Sequence, residues 1–365
     1  MIENKSILIV GDYSWPWYQE ACGNALNDLG FQAEKFSWFD DFRYRPEGAI
    51  EPVYKNLWLR LQYRFNLGPK VREVEKRLIK QALDLRPNFI WFYNVRLISP
   101  NTVKQLRQKL PNTKFIQYAN DNPFVLQAKY KFWSNFIKSI PYFDLTLSYR
   151  KNNLEAYKQH GAKHVELLRS YFIPENDYPL PISKIPKRFK CDIVFAGHYE
   201  NDGRLEILEE VCNKGYSLNL FGGGWNEVLL SLDEDNPLKK YYPVSPVIGD
   251  EYRYAICGAK VALCFLSALN HDTYTRRNFQ IPAMKTVMLS QYTSDLEQIF
   301  TPNSEAFFFR NTEELFEQLD VLIPNDGLRD RVIEAGYKKV YSGHHHVEGR
   351  MRELSKMINE KNNIV

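Results

Sequence analysis

Short apolar runs alternate with amphipathic stretches along the whole chain, and one proline-rich segment interrupts the alternation. A short apolar run followed by a helix-period stretch marks a strand that returns through a helix to a parallel neighbour. The alternation therefore restricts the chain to α/β architectures built on parallel sheets. Before the break, SILIVGD (6–12), FQAEKFSW (31–38), RPNFIWFYN (86–94), TKFIQYAND (113–121), FDLTLSY (143–149) and HVELLR (164–169) read as strands. Helices are expected over Trp17–Leu29, 69–85, Ser99–Leu110, 125–138 and 150–159, with Ser99 as an N-cap and Pro100 at the first helical position. After the break, CDIVFAG (191–197), YSLNLFG (216–222), KVALCFL (260–266), TVMLS (286–290) and EAFFFR (305–310) read as strands. Helices are expected over 203–213, 251–257, Asn278–Lys285, 293–300, 312–323, 326–340 and roughly 345–360.

The break itself, FIPENDYPLPISKIPKRFK (172–190), carries Pro174, Pro179, Pro181 and Pro186. Prolines at this density cannot continue a helix or a central strand, so the run reads as an interdomain linker and hinge. The organisation that follows is an α/β chain of two Rossmann-like domains facing across a cleft: 1–171, the linker 172–190, and 191–344. Residues 345–365 form a C-terminal helix that packs back on the first domain. A length of 365 residues suits two domains.

Composition excludes several classes. A net charge of +4 without a concentrated basic face disfavours nucleic-acid binding. The five cysteines (Cys22, Cys191, Cys212, Cys257, Cys264) contain no C-x-x-C pair and read as buried free thiols. No run approaches the roughly 20 apolar residues of a membrane span, and no signal peptide is visible, so a cytoplasmic location is expected. Residues 53–80 are basic and aromatic. They read either as a helical hairpin with solvated Lys and Arg, or as a contact to an acceptor or, peripherally, to an anionic membrane.

Ligands in open α/β sheets bind beyond the carboxyl ends of the strands, so the residues just after each strand are the candidates. Gly197 ends one strand, and Arg204 follows near a helix start where a guanidinium could hold phosphate; the alternative is an ordinary turn. Gly222-Gly223-Gly224 lets backbone approach a ligand without side-chain clash, but it is neither a P-loop nor a dinucleotide fingerprint. The densest stretch is NHDTYTRRNFQIPAMK (270–285). There Asp272, Thr273, Tyr274, Thr275, Arg276, Arg277 and Asn278 gather at a helix start, with Pro282 expected early in that helix. Two guanidiniums there could neutralise a diphosphate; the alternative is a helix cap with surface arginines. In the first half, Asp121 in the run Asn120-Asp121-Asn122-Pro123 is a candidate for a general base or acceptor-orienting group, the alternative being a turn-forming Asp before Pro; Asp12 after the first strand is a second candidate, and Tyr13, Trp15, Trp17 and Tyr18 could stack on a sugar. His344-His345-His346 could suggest a metal, but consecutive histidines point in different directions, and no metal site is expected.

The run VALCFLSALNHDTYTRRNFQIPAMKTVMLS, followed by LEQIF, EAFFFRNTEELFEQL and RDRVIEAGYKKV, resembles the C-terminal domain of CgeB-like (spore-maturation-protein type) glycosyltransferases. The resemblance extends upstream through VFAGHYENDGR, LNLFGGGW and VIGDEYRYAI. It is looser in the first half, at the opening strand, RPNFIWF and QYANDNPF. It implies the GT-B fold and metal-independent, hexosyltransferase-like transfer from a nucleoside diphosphate sugar, with no cofactor, in glycan biosynthesis. The acceptor would be a glycan, a lipid-linked glycan or a protein. It also implies that Asp272 contacts the donor sugar and that Gln280, where such enzymes usually carry glutamate, meets the ribose. Met284-Lys285 replaces a small Cys-Gly pair. Two alternatives stand beside this reading: a nucleotide-sugar epimerase of the same fold, and a non-catalytic nucleotide- or sugar-binding protein of an envelope or coat assembly.

Overall fold

The computed structural model describes residues 5–125 and 130–360. The chain divides into two units: one runs to Ser170 and resumes at Val347, and the other is Tyr171–His346.

In the first unit, β1 (Ser6–Gly11) and β2 (Gln32–Ser37) precede a small antiparallel hairpin, β3 (Arg43–Tyr44) and β4 (Val53–Tyr54). Then come β5 (Phe89–Tyr93), β6 (Lys114–Ala119), β7 (Leu145–Ser148) and β8 (Val165–Leu167). The main sheet has the order β2-β1-β5-β6-β7-β8 and is parallel throughout. Every residue of β5 and β7 is buried, as in a sheet covered by helices on both faces. Helix 69–85 has Pro69 at its start and buries Val71, Val74, Leu78 and Ala82, a single stripe at helical spacing. Ser99 caps helix 100–109 by accepting from the Thr102 N–H. The C-terminal helix Val347–Glu360 belongs to this unit and packs on helix Gln19–Asp28. It buries Met351, Leu354 and Ile358, and Arg350 donates to the Ser170 carbonyl at 3.1 Å.

The second unit contains β9 (Cys191–Ala196), β10 (Leu218–Phe221), β11 (Ala259–Cys264), β12 (Val287–Gln291) and β13 (Phe307–Phe309). Its sheet is also parallel, in the order β10-β9-β11-β12-β13. Its core gathers Ile193, Phe195, Trp225, Val261, Leu263, Phe265, Val287, Leu289 and Phe309. Both sheets reverse their winding direction once: between β1 and β5 in the first unit, and between β9 and β11 in the second. These two points are where an open α/β sheet leaves a crevice at the carboxyl ends of its strands.

Several details differ from the sequence expectation. The proline-rich run 172–190 lies within the second unit, where Phe172, Ile173, Ile185 and Phe189 are buried. Apolar side chains interleaved with its prolines pack it in place. The helix expected at 278–285 is Arg277–Ala283, so Pro282 sits near its end. The short helices Phe39–Phe42 and Trp225–Ser231 and the β3–β4 hairpin carry no clear periodic signal. The helix expected over 125–138 is Tyr130–Ser139; the start of the expectation lies outside the described residues. No helix among the described residues is long and apolar enough to cross a membrane.

Candidate functional site

The second unit's crevice is built around Arg277. Its guanidinium donates to the Ala196 carbonyl at 2.9 Å and the Phe265 carbonyl at 3.1 Å, at the last residue of β9 and the residue just after β11. It thus bridges the two strands where the winding reverses. A Cβ on Gly197 would lie 2.2 Å from the Arg277 Nη1, so only glycine leaves room for this bridge. The Arg277 Nε is buried and has no partner among the described residues.

Beside it, Arg276 lies 3.6 Å from Asp177 and over the Tyr171 ring, with 16% of its side chain exposed. Asp177 comes from the proline-rich run. It is buried and accepts from the Ile173 N–H at 2.8 Å and the Gln280 amide at 2.9 Å. The Gln280 carbonyl in turn accepts from the Tyr252 hydroxyl at 3.3 Å. Burial pushes the Tyr252 phenol well above its ordinary value, so it stays protonated and can donate. The glutamine is explained by this network. A neutral amide both donates to Asp177 and accepts from Tyr252, whereas a carboxylate could only accept. Sequence reading gave no role to Asp177, in the proline-rich run, or to Tyr252, within VIGDEYRYAI; only the fold brings them to Gln280.

The remaining residues of the 270–280 turn also have defined places. Asp272 donates its N–H to the Ser267 carbonyl. Thr273 donates from Oγ1 to Asp295 at 2.8 Å, and its carbonyl accepts from Thr293. Tyr274 is fully buried, edge-on to Phe279. The Thr275 N–H donates to Asn278 and its hydroxyl accepts from the Arg277 N–H. The Asn278 amide is buried against Ser290, Cys264 and Met288. Thr273 and Asn278 therefore hold the turn, and the arginines are what it presents.

Arg204 is placed differently from a free phosphate ligand. It is 2% exposed, clamps Asp202 in a two-pronged pair (2.7 and 2.5 Å) and donates to the His198 and Leu266 carbonyls. It ties together the loops after β9 and β11. The glycines after β10 also serve packing. A Cβ on Gly222 (φ 138°) would stand 2.0 Å from the Gly197 carbonyl oxygen, and one on Gly223 would meet the His198 ring at 3.0 Å. Trp225 donates from its indole to the same Gly197 carbonyl at 2.9 Å. Lys285 pairs with Glu334 at 2.5 Å.

In the first unit, Asp12 follows β1 at the winding reversal. Its Oδ2 accepts from Arg43 at 2.9 Å and from Tyr63 at 3.3 Å, and its Oδ1 from the Ser14 N–H at 3.0 Å. Its acceptor positions are thus largely filled. Asp121 follows β6 and is exposed, while its neighbour Asn122 is buried and bonded to Phe124 and Asn153. Of the two carboxylates, Asp121 is the one presented to solvent. Trp15 and Trp17 stack at 4.7 Å, with Arg45 over Trp15.

The His344 and His346 rings meet edge-on, with 6.0 Å between their centroids. His345 stacks on Phe279, and His346 lies against Phe172. Among the described residues no three His, Cys, Asp or Glu side chains converge on one point. No disulfide joins the cysteines among the described residues, and burial pushes the Cys191 thiol up to about 12 and that of Cys257 to about 11, which suppresses thiolate chemistry there.

Residues 204–356 match the family model described as glycosyl transferase-like. No curated protein sequence matches the chain. Among solved structures, sucrose-phosphate synthase from Thermosynechococcus elongatus superposes with a TM-score of 0.72 at 12% identity, covering 99% of this chain and 100% of that one. Anabaena HepE in complex with UDP-glucose gives 0.63 at 10% identity, covering 98% and 100%. A glycosyltransferase from Rickettsia africae gives 0.62 at 13% identity, covering 98% of each chain. The chain therefore has the GT-B fold, two Rossmann-like α/β units, and its residues 204–356 match the glycosyl transferase-like family.

Proposed function

We propose that this protein is a glycosyltransferase that takes a sugar from a nucleoside diphosphate sugar held at the carboxyl ends of β9, β11 and β12, as the CgeB-like resemblance implies. The observation that carries the reading is the coincidence of a glycosyl transferase-like match over 204–356 with an arginine pair at that sheet's winding reversal. Arg276 and Arg277 meet the diphosphate, and their fixed charge stabilises the negative charge that develops on it as the sugar leaves. Arg277 is oriented by the two strand-end carbonyls, so little reorganisation is needed when charge develops. Arg276 keeps 16% of its side chain exposed against 3% for Arg204, which makes it the better placed of those two to reach a ligand. Asp272 orients sugar hydroxyls. The Gln280 carbonyl retains a lone pair for a ribose hydroxyl beside its bond from Tyr252. Asp121 takes the acceptor proton. The acceptor is a glycan, a lipid-linked glycan or a protein.

A thermal-shift screen of UDP-, GDP- and dTDP-sugars tests the reading. Ligand at 100 times its Kd stabilises by about 2.7 kcal/mol, a shift of several degrees. One nucleotide series should raise the melting temperature, and Arg276→Ala should abolish the rise. No shift with any nucleotide sugar, or an unchanged shift in the variant, refutes the assignment. Conversion of a nucleotide sugar without an acceptor would instead identify an epimerase. The engagement of Gln280 by Asp177 and Tyr252 favours one second reading, a nucleotide-binding protein without transfer; binding with no transfer to any acceptor extract would establish it.

A further inference from the structure

Helix Leu57–Phe65 of the first unit presents an apolar ridge to solvent. Leu57 is 68% exposed, Trp58 62%, Leu61 38% and Phe65 68%, and Leu67 just beyond the helix is 67% exposed. At 100° per residue, Leu57, Leu61, Phe65 and Trp58 fall within one arc of about 100°. The opposite side of the helix carries Gln62 and Tyr63, which are buried, and the half-buried Leu59. The helix is thus amphipathic twice over: one side packs on the unit, and the other is apolar with no covering element among the described residues.

Its flanks are cationic. Arg64 and Arg60 continue the exposed arc on the side of Leu57, and Lys55 precedes the helix; all three are exposed. None of the three forms an ion pair with a described residue. Between residues 53 and 72 the sequence holds five basic and no acidic residues. In the adjoining hairpin, Arg43 turns inward onto Tyr63 while Tyr44 and Val53, paired across the strands, are 47% and 41% exposed.

We infer that this face docks the protein on an anionic lipid bilayer. Large apolar side chains including a tryptophan, with arginines beside them and no carboxylate on the helix itself, suit the boundary between acyl chains and phosphate headgroups. The charge selects the occupant, because a neutral apolar partner would leave the arginine border unmatched. Attachment is peripheral: the helix has nine residues, far short of a span.

Co-sedimentation of the full chain with phosphatidylcholine vesicles, with and without phosphatidylglycerol, tests the inference. Binding is expected only when phosphatidylglycerol is present, and it should weaken as salt rises. Arg60→Gln with Arg64→Gln should weaken it roughly thirtyfold, from about 1 kcal/mol per basic residue near the surface. Trp58→Ser with Phe65→Ser should weaken it at least as much. All four side chains are exposed, so circular dichroism and melting temperature should match the parent and show that folding is intact. No binding to anionic vesicles, equal binding to neutral ones, or binding unchanged in both double variants overturns the proposal. So does a stable dimer in solution that Trp58→Ser dissociates, since a second copy would then cover the ridge.

Discussion

Replacing Gln280 by glutamate, the residue usual at this position in the enzymes it resembles, should destabilise the protein in a pH-dependent way. The Gln280 amide donates to Asp177 at 2.9 Å in a buried setting. A carboxylate there removes the donor and sets two negative charges about 3 Å apart. At an effective dielectric of 20 their repulsion is about 5.5 kcal/mol. Arg276, 3.6 Å from Asp177, offsets part of this. The penalty is also capped, because the folded protein can escape by taking up a proton. Holding a glutamate protonated at pH 7 costs about 1.36 kcal/mol for each unit above its ordinary value near 4.3, or about 3.7 kcal/mol. The expected loss at pH 7 is therefore about 2–4 kcal/mol, on the order of 10 °C in melting temperature for a cooperative unit of this size. The sign follows from linkage. The folded state of the variant holds a proton that the unfolded state releases, so its stability falls as pH rises and recovers on acidification. The gap between variant and parent should narrow by up to about 1.4 kcal/mol per pH unit as pH is lowered from 7 and close near 4.3. Thermal unfolding of both proteins at pH 7.5, 6 and 5 measures this. Equal melting temperatures at pH 7.5, or a gap that widens toward pH 5, would refute the Asp177–Gln280–Tyr252 network. Adding Asp177→Asn to the variant should restore most of the loss at pH 7.5.

The two arginines should separate in kind. Arg277→Ala leaves the Ala196 and Phe265 carbonyls without their donor and should cost about 2–4 kcal/mol by denaturant unfolding. Arg277→Lys should not rescue it, because a single ammonium cannot reproduce the fork. Arg276→Ala should change stability by less while removing the nucleotide-induced shift. Gly222→Ala should cost at least about 3 kcal/mol, because backbone lies 2.0 Å from the new methyl group. Gly203→Ala, at a φ of 91° with open space around it, should cost only about 1 kcal/mol. Equal losses at the two glycines would show that backbone conformation, not the Gly197 contact, is what Gly222 provides.

Much of the fold was legible because it rests on local pattern. The fully apolar β5 could only be a covered parallel strand, and Ser99-Pro100 marked a helix start that the structure reproduces. The turn at 270–280 was legible as a cluster of charge and hydroxyls after a strand. What each residue does there was not. Arg204 and Arg277 look alike in sequence, yet one is locked onto Asp202 while the other spans two strand ends. The glycines at 197 and 222 read as room for a ligand, whereas protein atoms fill the space beside both. Asp177 lay hidden among prolines, since its partners are about a hundred residues away. Such roles depend on tertiary neighbours, which no local spacing encodes. The exposed ridge at 57–65 was visible as composition, but its outward face was not, because both sides of that helix carry apolar residues.

The placement of helix Val347–Glu360 has a consequence for biosynthesis. The second unit is, in chain order, an insertion into the first, and its ends are held together where the Phe172 N–H meets the His345 carbonyl. During synthesis the first sheet emerges before the second unit, yet the surface of helix Gln19–Asp28 stays uncovered until helix Val347–Glu360 leaves the ribosome. The first unit is begun before the second and completed after it, so a chain stalled before residue 347 would display that bare surface to chaperones and proteases.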